Sequence, residues 1–180
     1  MAGFTVGVVE ADRIIDGSGI QCHDVLIGLP SSGLHSNGYS LARKALSAKE
    51  QKLYAQILLK PTCIYVKPIL ALLEKFPIKG MAHMTGGAWY EKLTKVLPKG
   101  LCFAVKKGTW PALRIFELIQ DKGHIPEHEM YRTFNMGIGF ALVVSPKNVV
   151  AVQTFLRAQK LESFVIGEVA QDSKRKVFFK

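Results

Sequence analysis

The run Asp24-Val25-Leu26-Ile27-Gly28-Leu29 shows no polar alternation after its first residue, and reads as a strand buried on both faces. It passes straight into a polar loop, Pro30-Ser31-Ser32-Gly33-Leu34-His35-Ser36-Asn37-Gly38. A strand of that kind needs packed layers on either side, so the rest of the chain must supply them. Other runs of strand character are Phe4 to Val9, Gly80 to Met84, Leu101 to Val105, Ile138 to Val144, Phe164 to Val169 and Lys176 to Phe179. Helical stretches separate them: from a cap at Ser36 or Asn37 to about Ala48, roughly Thr62 to Lys75, and from Thr85-Gly86-Gly87 to about Leu97. Further helices are expected over Trp110 to Gln120 (closed by Gly123), Glu127 to Arg132 and Lys147 to Ala158. Pro68 predicts a kink or a fresh helix start within the second stretch. The alternation, with no repeat and no internal linker, predicts an α/β (α+β) class with one mixed β-sheet packed with helices.

A chain of 180 residues can bury about 70% of its unfolded surface, so the core needs no covalent staples. Cys22, Cys63 and Cys102 are odd in number and lack CxxC spacing, which points to buried thiols rather than disulfides or a zinc site. No apolar run approaches the ~20 residues that cross a bilayer, and Met1-Ala2-Gly3-Phe4 does not open a signal peptide. The expectation is a cytoplasmic protein with no membrane partner. An excess of 24 Lys+Arg over 14 Asp+Glu gives +10, a charge that attracts anions. The basic residues are dispersed, with one dense run at Lys174-Arg175-Lys176 and no interleaved aromatics, so phosphorylated metabolites are favoured over nucleic acid.

Two segments share a strand, a Gly/Ser/Thr/His loop and a following helix. The first holds Ser31, Ser32, Gly33, His35, Ser36, Asn37 and Gly38; the second holds His83, Thr85, Gly86 and Gly87. Glycine lets backbone approach a ligand, and a helix start offers free N–H groups, so both read as anion cradles. Arg132, Thr133 and Asn135 are donors placed just before an apolar strand, with Arg132 able to grip a phosphate through two N–H groups. His124-Ile125-Pro126-Glu127-His128 spells an inverted zinc-protease motif, but Pro126 should begin a helix and leave His124 outside it. The five Asp residues are dispersed, and Glu127 with Glu129 reads as helix-start charge, so no metal site is expected in this chain.

In order along the chain, Gly7-Val8-Val9-Glu10, the Ser31–Leu41 segment SSGLHSNGYSL, Pro61-Thr62-Cys63-Ile64-Tyr65-Val66-Lys67, Ala82-His83-Met84-Thr85-Gly86-Gly87 and the Glu129–Gly139 segment EMYRTFNMGIG resemble the C-terminal half of the phosphoribosylformylglycinamidine cyclo-ligase (aminoimidazole ribonucleotide synthetase) family. The resemblance covers essentially the whole chain. It implies an enzyme of de novo purine synthesis that uses ATP and Mg2+ to close an imidazole ring on formylglycinamidine ribonucleotide. It also implies that residues 1–15 are the terminal strand of an N-terminal ATP-binding domain and residues 16–180 the C-terminal synthetase domain. That N-terminal domain would be the partner, would hold most of the metal contacts, and would form the homodimer of the full-length enzyme. On this reading His35 is the catalytic candidate, as a hydrogen-bond donor or a proton carrier, and Ser31, Ser32, Gly33, Ser36, Asn37, Gly38, His83, Thr85, Gly86, Gly87, Arg132, Thr133 and Asn135 bind substrate or nucleotide. The family usually reads TGGG followed by E-N-x-x-R. Here Ala88 replaces the third glycine, and Lys92 and Lys95 stand at the Asn and Arg positions, so a narrower cradle and a lost guanidinium fork are expected. The alternative is a non-catalytic homologue that binds a nucleotide or docks on a partner.

Overall fold

Alternate residues of the apolar run point into different cores. The computed structural model, which describes residues 4–172, 174 and 177–180, makes this run β1 (Val25–Pro30). Leu26 joins a cluster with Trp89, Phe103 and Ile166, while Ile27 and Leu29 join Ile69, Leu72, Val152 and Leu156. Burial on both faces is possible because β1 lies inside the sheet, between β4 (Ile138–Val144) and β5 (Phe164–Gln171). With β2 (Gly80–His83), β3 (Leu101–Val105) and β6 (Val177–Phe179), the order is β2-β4-β1-β5-β3-β6. Every pairing is antiparallel except β3 with β6, so the sheet is mixed, as predicted.

One face of the sheet is covered by α4 (Val66–Leu73) and α7 (Val149–Ala158). The other carries the Trp89 cluster, in which Trp89 stacks on Trp110 at 5.5 Å and meets Tyr131 and Phe179 edge-on. A third apolar cluster, with Leu34, Ala42, Phe116, Ile119, Met130 and Phe134, ties the loop after β1 to α1 (Tyr39–Ala45), α5 (Arg114–Gly123) and α6 (Glu127–Thr133). At the start of β1 the buried Asp24 carboxylate accepts from Lys79 Nζ at 2.8 Å through both oxygens, and from the Gln21 N–H at 2.7 Å. That ion pair reaches from β1 across β4 to the residue preceding β2. No helix among the described residues is long and apolar enough to cross a membrane.

Several elements differ from the sequence expectation. The helix expected to about Ala48 stops at Ala45, because Ser47 and Glu50 form a reciprocal capping box that starts α2 (Ala48–Leu53). A further short helix, α3 (Ala55–Leu58), follows. Neither Ser36 nor Asn37 caps α1; Gly38 does, at φ 85. Of the two outcomes expected at Pro68, the fresh helix start is the one found: α4 begins at Val66, and a proline in the first turn removes no intrahelical bond. The stretch after Gly87 is a π-helical turn (Ala88–Lys92) running into a 3-10 turn (Leu93–Val96). α5 starts at Arg114 rather than Trp110, and its left-handed terminal residue is His124, at φ 47, rather than Gly123. Phe4 to Val9 forms no strand here; Phe4, Val6 and Val8 are exposed. Lys176, the expected start of β6, and Arg175 of the basic run lie outside the described residues.

Candidate functional site

The loop after β1 is held from two sides. Ser31 Oγ donates to Asn135 Oδ1 at 2.9 Å, and Asn135 Nδ2 donates to the Gly33 carbonyl at 2.9 Å. The Gly137 N–H also donates to Asn135 Oδ1 at 2.9 Å, so this buried amide uses both acceptor positions of its oxygen and one of its two N–H groups. On the other side Ser32 Oγ donates to the Pro61 carbonyl at 2.6 Å, and Ser36 Oγ shares a hydrogen bond with Thr62 Oγ1 at 3.2 Å. Ser31, Ser32, Ser36 and Asn135 therefore spend their polar groups on loop shape.

His35 sits at the centre of that loop, at φ 57 and only 4% exposed. Its Nε2 accepts from the Ser32 N–H at 3.2 Å and the Cys63 N–H at 3.4 Å. An Nε2 that accepts carries no proton, so the neutral ring holds its proton on Nδ1, which is buried without a partner among the described residues. Burial first, and the neighbouring His83 second, push its pKa down to about 4. The lowered pKa keeps the ring neutral near pH 7, with Nδ1 as its one N–H. Tyr65 lies 6.2 Å from His35 between ring centres, and its hydroxyl donates to the Pro30 carbonyl at 2.6 Å. Burial, with Cys63 beside it, keeps that phenol protonated. Both rings rest over Gly139 of β4, where an added Cβ would lie 2.5 Å from His35 Cε1 and overlap the Tyr65 hydroxyl.

Six predicted residues meet at one open cavity of about 330 Å³: Asn37, Gly38, Gly86, Gly87, Arg132 and Thr133. They come from three distant segments, brought together where the Gly87 N–H donates to the Arg132 carbonyl at 3.1 Å. Glycine is required at 87, and a side chain at 86 would crowd the cavity. A Cβ on Gly86 would approach Asn37 Oδ1 to 3.1 Å, and one on Gly87, at φ 76, would lie 2.5 Å from Glu91 Oε2. Two carboxylates that sequence reasoning did not select, Glu91 and Glu129, complete the lining. Glu129 Oε2 lies 3.6 Å from Arg132 Nη1, and Thr133 Oγ1 donates to Glu129 Oε1 at 2.9 Å. The signal for Glu129 was its spacing, since residues three and four apart share a helix face. With an exposed guanidinium, an amide and two carboxylates, the cavity suits a ligand that carries both an anionic group and N–H donors.

The remaining predicted residues lie elsewhere. His83 ends β2 and lines a separate apolar cavity of about 440 Å³ with Tyr65 and Phe140. Burial lowers its pKa. Thr85 uses its N–H on the His83 carbonyl at 3.0 Å and does not line the smaller cavity. Ala88 is fully buried in the Trp89 cluster, so its methyl fills core and narrows no cradle. Lys92 and Lys95 are also absent from the lining. His124 lies outside α6, as Pro126 predicted. Among the described residues no group of three or more His, Cys, Asp or Glu is placed to hold a metal.

A mixed six-stranded sheet packed with helices, with a glycine-walled, arginine-bearing cavity at its loops, defines an α/β domain with a candidate ligand site. The same fold occurs in the thiamine-monophosphate kinase of Stenotrophomonas maltophilia (TM-score 0.60, 15% identity, 96% of this chain and 54% of that one). It also occurs in Thermotoga maritima PurL complexed with AMPPCP (TM-score 0.56, 17% identity, 92% of this chain and 24% of that one). Residues 21–180 match the family model of AIR synthase related protein, C-terminal domain, and the chain belongs to that family. Its relatives include proteins named phosphoribosylformylglycinamidine cyclo-ligase from Acetivibrio thermocellus, 48% identical over 97% of this chain and 54% of the relative, and from Geotalea daltonii, 52% identical over 95% and 52%. The chain spans about half the length of the curated relatives it matches.

Proposed function

We propose that this chain is the C-terminal half of an ATP-dependent cyclo-ligase that converts formylglycinamidine ribonucleotide to aminoimidazole ribonucleotide in de novo purine synthesis. The observation that carries the reading is the convergence of Asn37, Gly86, Gly87 and Arg132 on one cavity, in a chain 48% identical to a protein of that name. The formyl oxygen takes the γ-phosphoryl group of ATP; an amidine nitrogen then forms the ring C–N bond as the C–O bond to phosphate breaks, releasing ADP and phosphate. Arg132 holds a phosphate of substrate or nucleotide as a forked donor, and the side-chain-free Gly86 and Gly87 give its oxygens room. Glu91, the lining carboxylate not engaged by Arg132 and Thr133, accepts from the amidine N–H groups. His35 keeps an unpartnered Nδ1–H buried beneath this loop, and opening of the loop on assembly with the N-terminal half makes it the candidate donor to charge developing on the formyl oxygen.

The donor set suits the phosphate but not the Mg2+ that accompanies ATP, because Glu129 is already committed to Arg132 and Thr133 and only the Glu91 carboxylate is left to ligate. The metal therefore belongs to the N-terminal half, which residues 1–15 join to this domain and which makes the homodimer of a cytoplasmic enzyme. Supplying the N-terminal half of the Acetivibrio thermocellus relative should restore ATP-dependent ring closure, and Arg132→Ala should abolish most of it. Robust substrate-dependent ADP release by this chain alone would overturn the division of labour.

A further inference from the structure

The outer side of α4 has no layer over it. Ile69 and Leu72 face the sheet, but Val66 and Leu70 are 60% and 57% exposed, and neighbouring Ile64 is 84% exposed. Between this ridge and the edge strand β2 lies the apolar cavity of about 440 Å³, with Met81 and Phe140 in its lining. No Lys, Arg, Asp or Glu lines it, in a chain that carries 24 basic and 14 acidic residues. β2 pairs only with β4 among the described residues, so its outer edge is open. Leu70 and Leu73 also line a second cavity, of about 670 Å³, whose opposite wall is the leading segment with Val8, Val9 and Ile14. The apolar strip thus runs from β2 over α4 and ends at this second cavity, where Glu10, Asp12, Arg13 and Glu74 join the lining beside the leading segment. Isolated exposed apolar side chains need no explanation, but a contiguous strip marks an interaction surface.

We infer that this strip, centred on Val66 and Leu70 and bordered by the β2 edge, is the docking surface for the N-terminal half of the cyclo-ligase. The inference rests on the reading above. Two observations select this occupant. The matched model is a C-terminal domain and the relatives are about twice as long as the matched region, so they carry a further domain before it. The leading segment lies along this face, so a domain joined there is tethered beside the strip. Tethering raises effective concentration, which lets a modest apolar area hold two domains together.

The test adds the N-terminal half of the Acetivibrio thermocellus relative to the full 180-residue chain and measures association by calorimetry and sedimentation. Leu70→Glu and Val66→Glu should each weaken it by about tenfold or more, the effect of losing an anchor at the centre of an interface. Val150→Glu, at a still more exposed apolar position on α7, should change it by less than about twofold. Circular dichroism should find all three variants folded, since each side chain is exposed. No association, or association that tolerates both α4 variants, overturns the proposal. So does self-association of this chain that Leu70→Glu abolishes without any binding of the added half, because the occupant is then a second copy. Ring closure is read separately: docking that depends on Leu70 without turnover keeps the surface and removes the enzymatic reading, and turnover that tolerates both α4 variants does the reverse.

Discussion

Asn135 and Ser31 stand 104 residues apart in sequence and share a buried hydrogen bond of 2.9 Å. Through it the strand entry before β4 grips the loop after β1. The same amide takes the Gly137 N–H and serves the Gly33 carbonyl. Asn135→Ala leaves three groups unpaired in a buried site, and should cost on the order of 3 kcal/mol. Urea unfolding checks this, and a loss within experimental error of zero would return Asn135 to the list of ligand-binding candidates.

Much of the sheet was legible because its strands are short apolar runs bounded by turns. Leu101–Val105 and Ile138–Val144 form where the sequence predicted them. Helix boundaries were harder to read. The Ser47–Glu50 box lay inside a stretch with good helical periodicity, and only its S-x-x-E spacing betrayed the break. At the site, residue type pointed to the right loops but not to the atoms left over. Ser31, Ser32, Ser36 and Asn135 look like ligand donors in sequence, yet tertiary partners far along the chain consume them. Glu129 read as helix-start charge, and Glu91 was not singled out, until folding set both at the cavity that holds Arg132.

Gly139 is predicted to tolerate no side chain. A Cβ there would strike the His35 ring and the Tyr65 hydroxyl, displacing the bond from Tyr65 to the Pro30 carbonyl. Gly139→Ala should destabilise the chain by about 3 kcal/mol, the upper range for overpacking, and should loosen residues 31–38. Hydrogen exchange at the Ser32 and Cys63 amides reports the second effect. Unchanged protection at both would show that the rings do not brace the loop.

His35 should make stability pH-dependent in a defined window. Its pKa falls from the ordinary 6.5 to about 4 on folding, so the unfolded chain binds the proton first. The stabilisation is fully present above pH 6.5 and is lost progressively as pH falls towards 4, by about 3 kcal/mol in all. His35→Asn, which accepts the left-handed backbone, removes this contribution while leaving the carboxylates unchanged. The wild-type chain should therefore lose stability more steeply than the variant between pH 6.5 and 4. Parallel curves would mean that the imidazole is not desolvated.

The sharpest test of the cavity uses opposite signs from two neighbours. Arg132 supplies its exposed cation, while Glu129, 3.6 Å from the guanidinium, competes for it. In a phosphate titration followed by NMR, the amides of Asn37, Gly86 and Gly87 should shift together. Arg132→Ala should weaken binding by about tenfold, the loss of one forked charge-assisted contact, and Arg132→Lys should recover only part of it. Glu129→Gln should strengthen binding by a few fold, because it frees the guanidinium and removes a like charge from the anion's path. A general attraction to the net charge of +10 predicts instead that Glu129→Gln and any distant Glu→Gln act alike. Glu162→Gln provides that comparison, and equal effects at the two positions would refute a phosphate site at Arg132.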